Sequence, residues 1–192
     1  MRLLDSCQPF LTQSWIINVM LRDKNLIPLS RQHQHALALC VRINRAGLST
    51  PAELKAWQSE AQQHFEQEMQ YHFTAEEAHL FPAARQYPEL GSLVDELLVE
   101  HAQLRDFFTQ ACGCALDSAS LRKFAEVLAT HIRKEERQLF QGMQKKMKPE
   151  ELFEIGQRLG EALVHRAQAC IVPAEATLKN SNPKPTRGSA GT

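Results

Sequence analysis

His72-Phe73-Thr74-Ala75-Glu76-Glu77-Ala78-His79-Leu80-Phe81 and, further along, His131-Ile132-Arg133-Lys134-Glu135-Glu136-Arg137-Gln138-Leu139-Phe140 share one pattern, H-[F/I]-x-x-E-E-x-x-L-F. Residues four apart on an α-helix lie one turn above each other on the same face. Each copy therefore sets an imidazole beside a carboxylate, a pair able to converge on one cation. Two copies in a single chain point to two metal ions, or to one ion held between facing helices.

The sequence around both copies has a helical period, and five amphipathic segments are predicted. The first runs from about residue 30 to residue 46 and stops at Gly47. The second opens at Thr50-Pro51-Ala52-Glu53, where Thr50 caps, Pro51 suits the first turn and Glu53 completes a capping box. It continues to about Phe81, where Pro82 bends or ends it. The third spans about residues 89–111. The fourth starts after Asp117 or Ser118 and reaches about Lys146, and the fifth follows Pro149-Glu150 to about Cys170. Nothing alternates with period two, and no Asn-Gly or Asp-Gly hairpin occurs. The expected fold is all-α: an antiparallel four-helix bundle with an additional C-terminal helix. On that last helix Leu152, Ile155, Leu159 and Leu163 form an apolar stripe. It either lies on the bundle or pairs two chains in a homodimer.

The apolar stripes are informative where they are interrupted. The second helix reads Phe65, Met69, His72, Glu76, Leu80; the third reads Leu90, Val94, Leu97, His101, Leu104, Phe108. The fourth reads Leu121, Phe124, Leu128, His131, Glu135. Each carries a histidine where a bundle buries a leucine, and two bury a carboxylate one turn on. A buried ionised carboxylate costs on the order of several kcal/mol unless it is paired or bound to metal. A single histidine on such a face is ordinarily a packing residue; several in register, two with glutamates, favour metal. The first helix offers His33 and His35. The stripe Leu26, Leu29, His33, Leu37, Cys40 turns His33 inward and leaves His35 as the reserve. The candidate metal ligands are His33, His72, Glu76, His101, His131 and Glu135. Glu77 and Glu136 are expected beside the ligands rather than on the ion. His64 and Glu68 repeat the spacing off the stripe, so His64 is expected at the surface. Glu76 and His79 form one E-x-x-H, but a ferritin-type site needs that pairing on two helices.

The whole-chain properties narrow the function classes. The 192 residues carry no net charge, which gives no electrostatic footprint for nucleic acid. The run from Trp15 to Leu21 is too short for a membrane span. Five cysteines fit no disulfide framework, so a reducing cytoplasm is expected; Cys112-Gly113-Cys114 reads as small residues at a helix end. Residues 1–24 read as a loosely attached extension or partner helix, 25–172 as one helical domain, and 173–192 as a disordered tail.

The order His33, His72-x-x-x-Glu76, His101, His131-x-x-x-Glu135 resembles the hemerythrin-like (HHE cation-binding) family over about residues 26–145. Leu29-Ser30-Arg31-Gln32-His33 is similar to the family's opening motif. The resemblance implies a four-helix bundle around a non-haem iron centre, usually two irons per chain, with zinc or manganese less favoured. It also implies that the two glutamates bridge the ions while histidines fill terminal positions. Oxygen-carrying members have a second histidine four residues after the third-helix one, where this chain has Arg105. They use an aspartate five residues after the last histidine, where this chain has Glu136. The set here is closer to bacterial relatives tied to nitrosative stress, which carry a further cysteine-bearing domain; Cys7 stands alone. The implied role is sensing or scavenging oxygen, nitric oxide or peroxide at the metal, or handling iron. The alternatives are a di-iron oxidase or peroxidase, and a metal-free helical interaction module.

Overall fold

A computed structural model describes the backbone of residues 21–169 and the side chains of residues 21–163. Residues 1–20 and 170–192 lie outside the described residues, and with them most of the extension's apolar run and the tail.

Five helical rods follow one another: α1 (Ile27–Arg45), α2 (residues 51–84), α3 (Pro88–Cys112), α4 (residues 118–146) and α5 (Pro149–Ala169). No strand occurs among the described residues. Short turns join α1 to α4 in an up-down-up-down bundle, in which α4 closes the ring against α1. Residues 70–80 of α2 carry α5 on their outer side.

The helix ends follow local chemistry. Thr50 Oγ1 accepts the Glu53 N–H at 3.2 Å, and Glu53 Oε2 accepts the Thr50 N–H at 3.0 Å, so the capping box is complete. Asp117 Oδ1 caps α4 through the Ser120 N–H at 2.7 Å. α1 starts at Ile27, earlier than the expected start near residue 30, with Pro28 in its first turn. Pro82, expected to bend or end α2, stands two residues before the last helical residue, Ala84. The five residues ahead of it, Glu76–Leu80, form a π turn, in which the Phe81 N–H reaches back to Glu76 O. The missing N–H and the ring of Pro82 thus fall where the i→i−4 ladder is already broken. α3 ends at the small residues Cys112-Gly113, and Cys114 takes a left-handed φ of 52° just beyond.

Two apolar clusters fill the bundle. The upper one centres on Ile43, Met69, Phe73, Leu104, Phe108, Phe124 and Leu128. The lower one centres on Leu29, Leu80, Phe81, Val94, Leu97, Leu139 and Phe140. Leu152, Ile155 and Leu159 of α5 are buried in the lower cluster and Leu163 packs on it, so the stripe that raised a homodimer lies on the bundle. α5 also meets the segment ahead of α1. A Cβ on Gly156 would stand 2.6 Å from Asn25 Cβ, so glycine permits the approach. The last residues ahead of α1 are hydrogen-bonded to the bundle. Arg22 Nη1 donates to Gln144 Oε1 at 2.7 Å, and Gln144 Nε2 donates to Leu21 O at 2.9 Å.

Candidate metal centre

Between the two apolar clusters, His33, His72, Glu76, His101, His131 and Glu135 converge, none more than 1% exposed. His35 instead points outward, 64% exposed, with Nδ1 3.1 Å from Glu68 Oε1. His64, expected at the surface, is half-buried with Nδ1 3.7 Å from the same residue's Oε2. In both copies of the repeat a π turn starts at the inner glutamate, Glu76–Leu80 in α2 and Glu135–Leu139 in α4. Such widened turns recur at functional sites. A third, Phe65–Met69, precedes the first copy. Nothing in the periodicity announced them.

The two carboxylates span the cluster. Glu76 Oε1 lies 3.2 Å from His72 Nε2 and 3.9 Å from His33 Nε2, while its Oε2 lies 3.5 Å from His101 Nε2. Glu135 Oε2 lies 3.1 Å from His33 Nε2, and its Oε1 lies 3.5 Å from His131 Nε2 and 4.0 Å from His101 Nε2. Each carboxylate thus turns one oxygen to the His33/His72 pair and the other to the His101/His131 pair. Ligand atoms of His33, His72, Glu76 and Glu135 all lie within 4.8 Å of one another, as do those of His101, His131 and Glu135.

Every ring is held from outside through Nδ1. His33 Nδ1 is 2.8 Å from Glu136 Oε1, and His72 Nδ1 is 2.8 Å from Gln32 Oε1. His101 Nδ1 is 2.7 Å from Glu77 Oε1, and His131 Nδ1 is 2.9 Å from Glu100 Oε2. A ring that donates Nδ1–H outward to oxygen offers its Nε2 lone pair inward, the orientation a ligand requires. The three outer carboxylates are each paired with a cation. Arg105 Nη1 meets Glu77 Oε1 at 2.8 Å, Lys134 holds Glu100, and Arg22 holds Glu136. Phenylalanines line the rest: Phe73 stacks on His101 at 4.1 Å, Phe81 lies 5.2 Å from that ring, and Phe140 stacks on His33 at 5.6 Å.

The donor set fits a cation. Both oxygens of Glu76 and of Glu135, and Nε2 of His101 and of His131, are buried with no hydrogen-bond partner. Buried polar atoms are ordinarily satisfied, and six orphans aimed at one space are what a positive ion would satisfy. A family model described as the hemerythrin HHE cation-binding domain matches residues 28–143, more than half of the chain. The chain belongs to the hemerythrin HHE cation-binding family. No curated protein and no solved structure matches it.

The electrostatics of the hemerythrin domain's cluster favour positive charge at its centre. Burial disfavours the His33 imidazolium, but the carboxylates of Glu135, Glu136 and Glu76 outweigh it and lift the ring to about 10. His101 is likewise lifted to about 9, against burial, by Glu76 and Glu77. Burial opposes the Glu76 carboxylate too, yet His72 and His101 hold it well below the usual range. At the rim His101, helped by Arg105 against burial, holds Glu77 at about 2. Glu136 is also held at about 2, where His33 and Arg22 overcome its burial.

Gln32, Glu100, Arg22 and Lys134 escaped the reading of the sequence. A signal for two of them existed. Gln32 and Glu100 each directly precede a histidine that faces inward, His33 and His101. The π turns and the Arg22 contact left no comparable trace.

Proposed function

We propose that this chain holds two iron ions, one with His33 and His72, the other with His101 and His131, both reached by Glu76 and Glu135. The observation that supports this reading is the pair of spanning carboxylates. Each turns one otherwise unpartnered oxygen to each histidine pair. Two imidazoles and two carboxylate oxygens per ion suit iron, manganese or zinc, and membership of the hemerythrin family, whose cation is typically iron, favours the first. Iron bound there supplies a redox centre for small oxidants such as oxygen, nitric oxide or peroxide, and we read the protein as sensing or scavenging these, or as handling iron. The chain's own residues do the positioning. Glu77, Glu100, Glu136 and Gln32 fix the imidazoles, while Phe73, Phe81 and Phe140 keep bulk water away. A cytoplasmic setting is in keeping with the free thiols of Cys40, Cys112 and Cys114. Among the described residues no helix is long and apolar enough to cross a membrane.

The test is metal content with an absorption spectrum, on untagged protein from iron-supplied cells. The expected result is about two irons per chain with near-ultraviolet charge-transfer bands, and less iron than the parent in His72→Ala and Glu135→Ala. Variants that hold as much iron as the parent would remove the basis of this reading.

A further inference from the structure

The centre is built on an internal repeat. The residue after each inner glutamate, Glu77 or Glu136, receives the Nδ1 of an α3 or α1 histidine. The residue before each of those histidines, Glu100 or Gln32, receives the Nδ1 of an α4 or α2 histidine. Three of these four acceptors are carboxylates and one is an amide. A second break concerns the cations. Arg105 stands one turn after His101 and pairs with Glu77, but the matching position one turn after His33 is Leu37. The partner of Glu136 is Arg22, from the segment ahead of α1.

We propose that the two halves of the centre bind their ions unequally, the His101/His131 half tightly and the His33/His72 half loosely. Gln32 and Arg22 are the positioning residues that set the difference. The proposal rests on the two-ion reading above. An imidazole that donates to a carboxylate carries more electron density at Nε2 than one that donates to a neutral amide. His101 and His131 both have carboxylate acceptors, each held in place from within a long helix by Arg105 or Lys134. His72 has only the Gln32 amide, and the acceptor of His33 depends on a residue outside the bundle. Under limiting metal the chain loads stepwise, and the ion between His33 and His72 is the one that leaves.

The test titrates the metal-free full chain with zinc against a chromogenic chelator, a readout independent of redox activity. Two steps are expected, with dissociation constants about 10–100-fold apart. His72→Ala should abolish the weak step and His131→Ala the tight one. Gln32→Glu should tighten the weak step and draw the two constants together, whereas Arg22→Ala should weaken that step alone. Circular dichroism of each metal-free variant confirms folding, and Arg22→Ala, at the rim, carries the test should Gln32→Glu not fold. Two ions bound with equal constants in the parent would overturn the proposal. So would a ratio that neither substitution moves. A parent that binds one ion or none overturns the two-ion reading itself, and the inference with it.

Discussion

In the first copy of the repeat His72 donates to the amide of Gln32, and the outer glutamate, Glu77, is neutralised by Arg105 within the bundle. In the second copy His131 donates to the carboxylate of Glu100, and the outer glutamate, Glu136, is neutralised by Arg22 from ahead of α1. Between these neighbours the inner geometry is the same. Both inner glutamates are fully buried, both begin a π turn, and both lie between the two histidine pairs. The inner residues are thus set by the repeat itself, while the outer ones are recruited from whatever the adjoining segment offers. Chemistry that needs only a cation site would draw on the shared part. Chemistry that distinguishes the two ions would draw on the outer part.

The strongest challenge to this equivalence is to remove each spanning carboxylate in turn. Glu76→Ala and Glu135→Ala should both lose both ions, measured as metal per chain after dialysis; loss of one ion in either would break the symmetry. Next, the copies differ where Phe73 matches Ile132. Phe73→Ala should cost about 3–5 kcal/mol and Ile132→Ala about 2–5 kcal/mol in denaturant unfolding. Phe73→Ala should also disturb the His101 half, since the ring stacks on that imidazole at 4.1 Å. Glu77→Gln and Glu136→Gln should each weaken one ion about 10–100-fold, on opposite halves, as read by chelator competition.

Titration sharpens the comparison further. His33 and His101 are lifted from 6.5 to about 10 and about 9, so their contribution to metal-free stability is complete below 6.5 and fades as pH rises through 9 to 10. Glu77 and Glu136 are lowered from 4.5 to about 2, so theirs is complete above 4.5 and fades as pH falls through 2. The metal-free protein should therefore be most stable between 4.5 and 6.5, as read by denaturant midpoints across pH. Metal must displace the ring protons, so apparent affinity should rise from pH 6 towards pH 9, where each bound ion releases protons. A flat profile would mean that the rings stay neutral without metal. The smallest effects belong to the caps of the two rods that carry the repeat. Thr50→Ala and Asp117→Ala should each cost about 1 kcal/mol and leave metal content unchanged.

The helices were legible because each carries a full apolar stripe and chemically distinct ends. Thr50, Glu53 and Asp117 act as caps in the structure as their types predict. The inward turn of His33 was legible for the same reason: it shares a face with Leu29 and Cys40, whereas His35 does not. The π turn ahead of Pro82 was hidden, because a proline is read against an ordinary α ladder. The outer acceptors were hidden by their polarity. Gln32 and Glu100 look like solvent-facing residues until the histidines they receive are placed across a helix interface. Arg22 was hidden more deeply, since its link to Glu136 spans most of the chain and follows no period.

A π turn is one residue more than an α-helix requires, so each copy of the repeat holds two helical frames in one rod. The upstream frame presents the histidine and the first glutamate; the downstream frame presents Leu80 and Phe81, or Leu139 and Phe140, to the lower cluster. Removing a single residue from either turn would restore a regular helix locally. It would also keep Phe81 above Glu76 and Phe140 above Glu135, because their N–H→O contacts would then be ordinary i→i−4 bonds. Winding either rod as a regular helix at its full length would instead rotate everything beyond by about 100°, so the widened turn is what lets both frames face the interior.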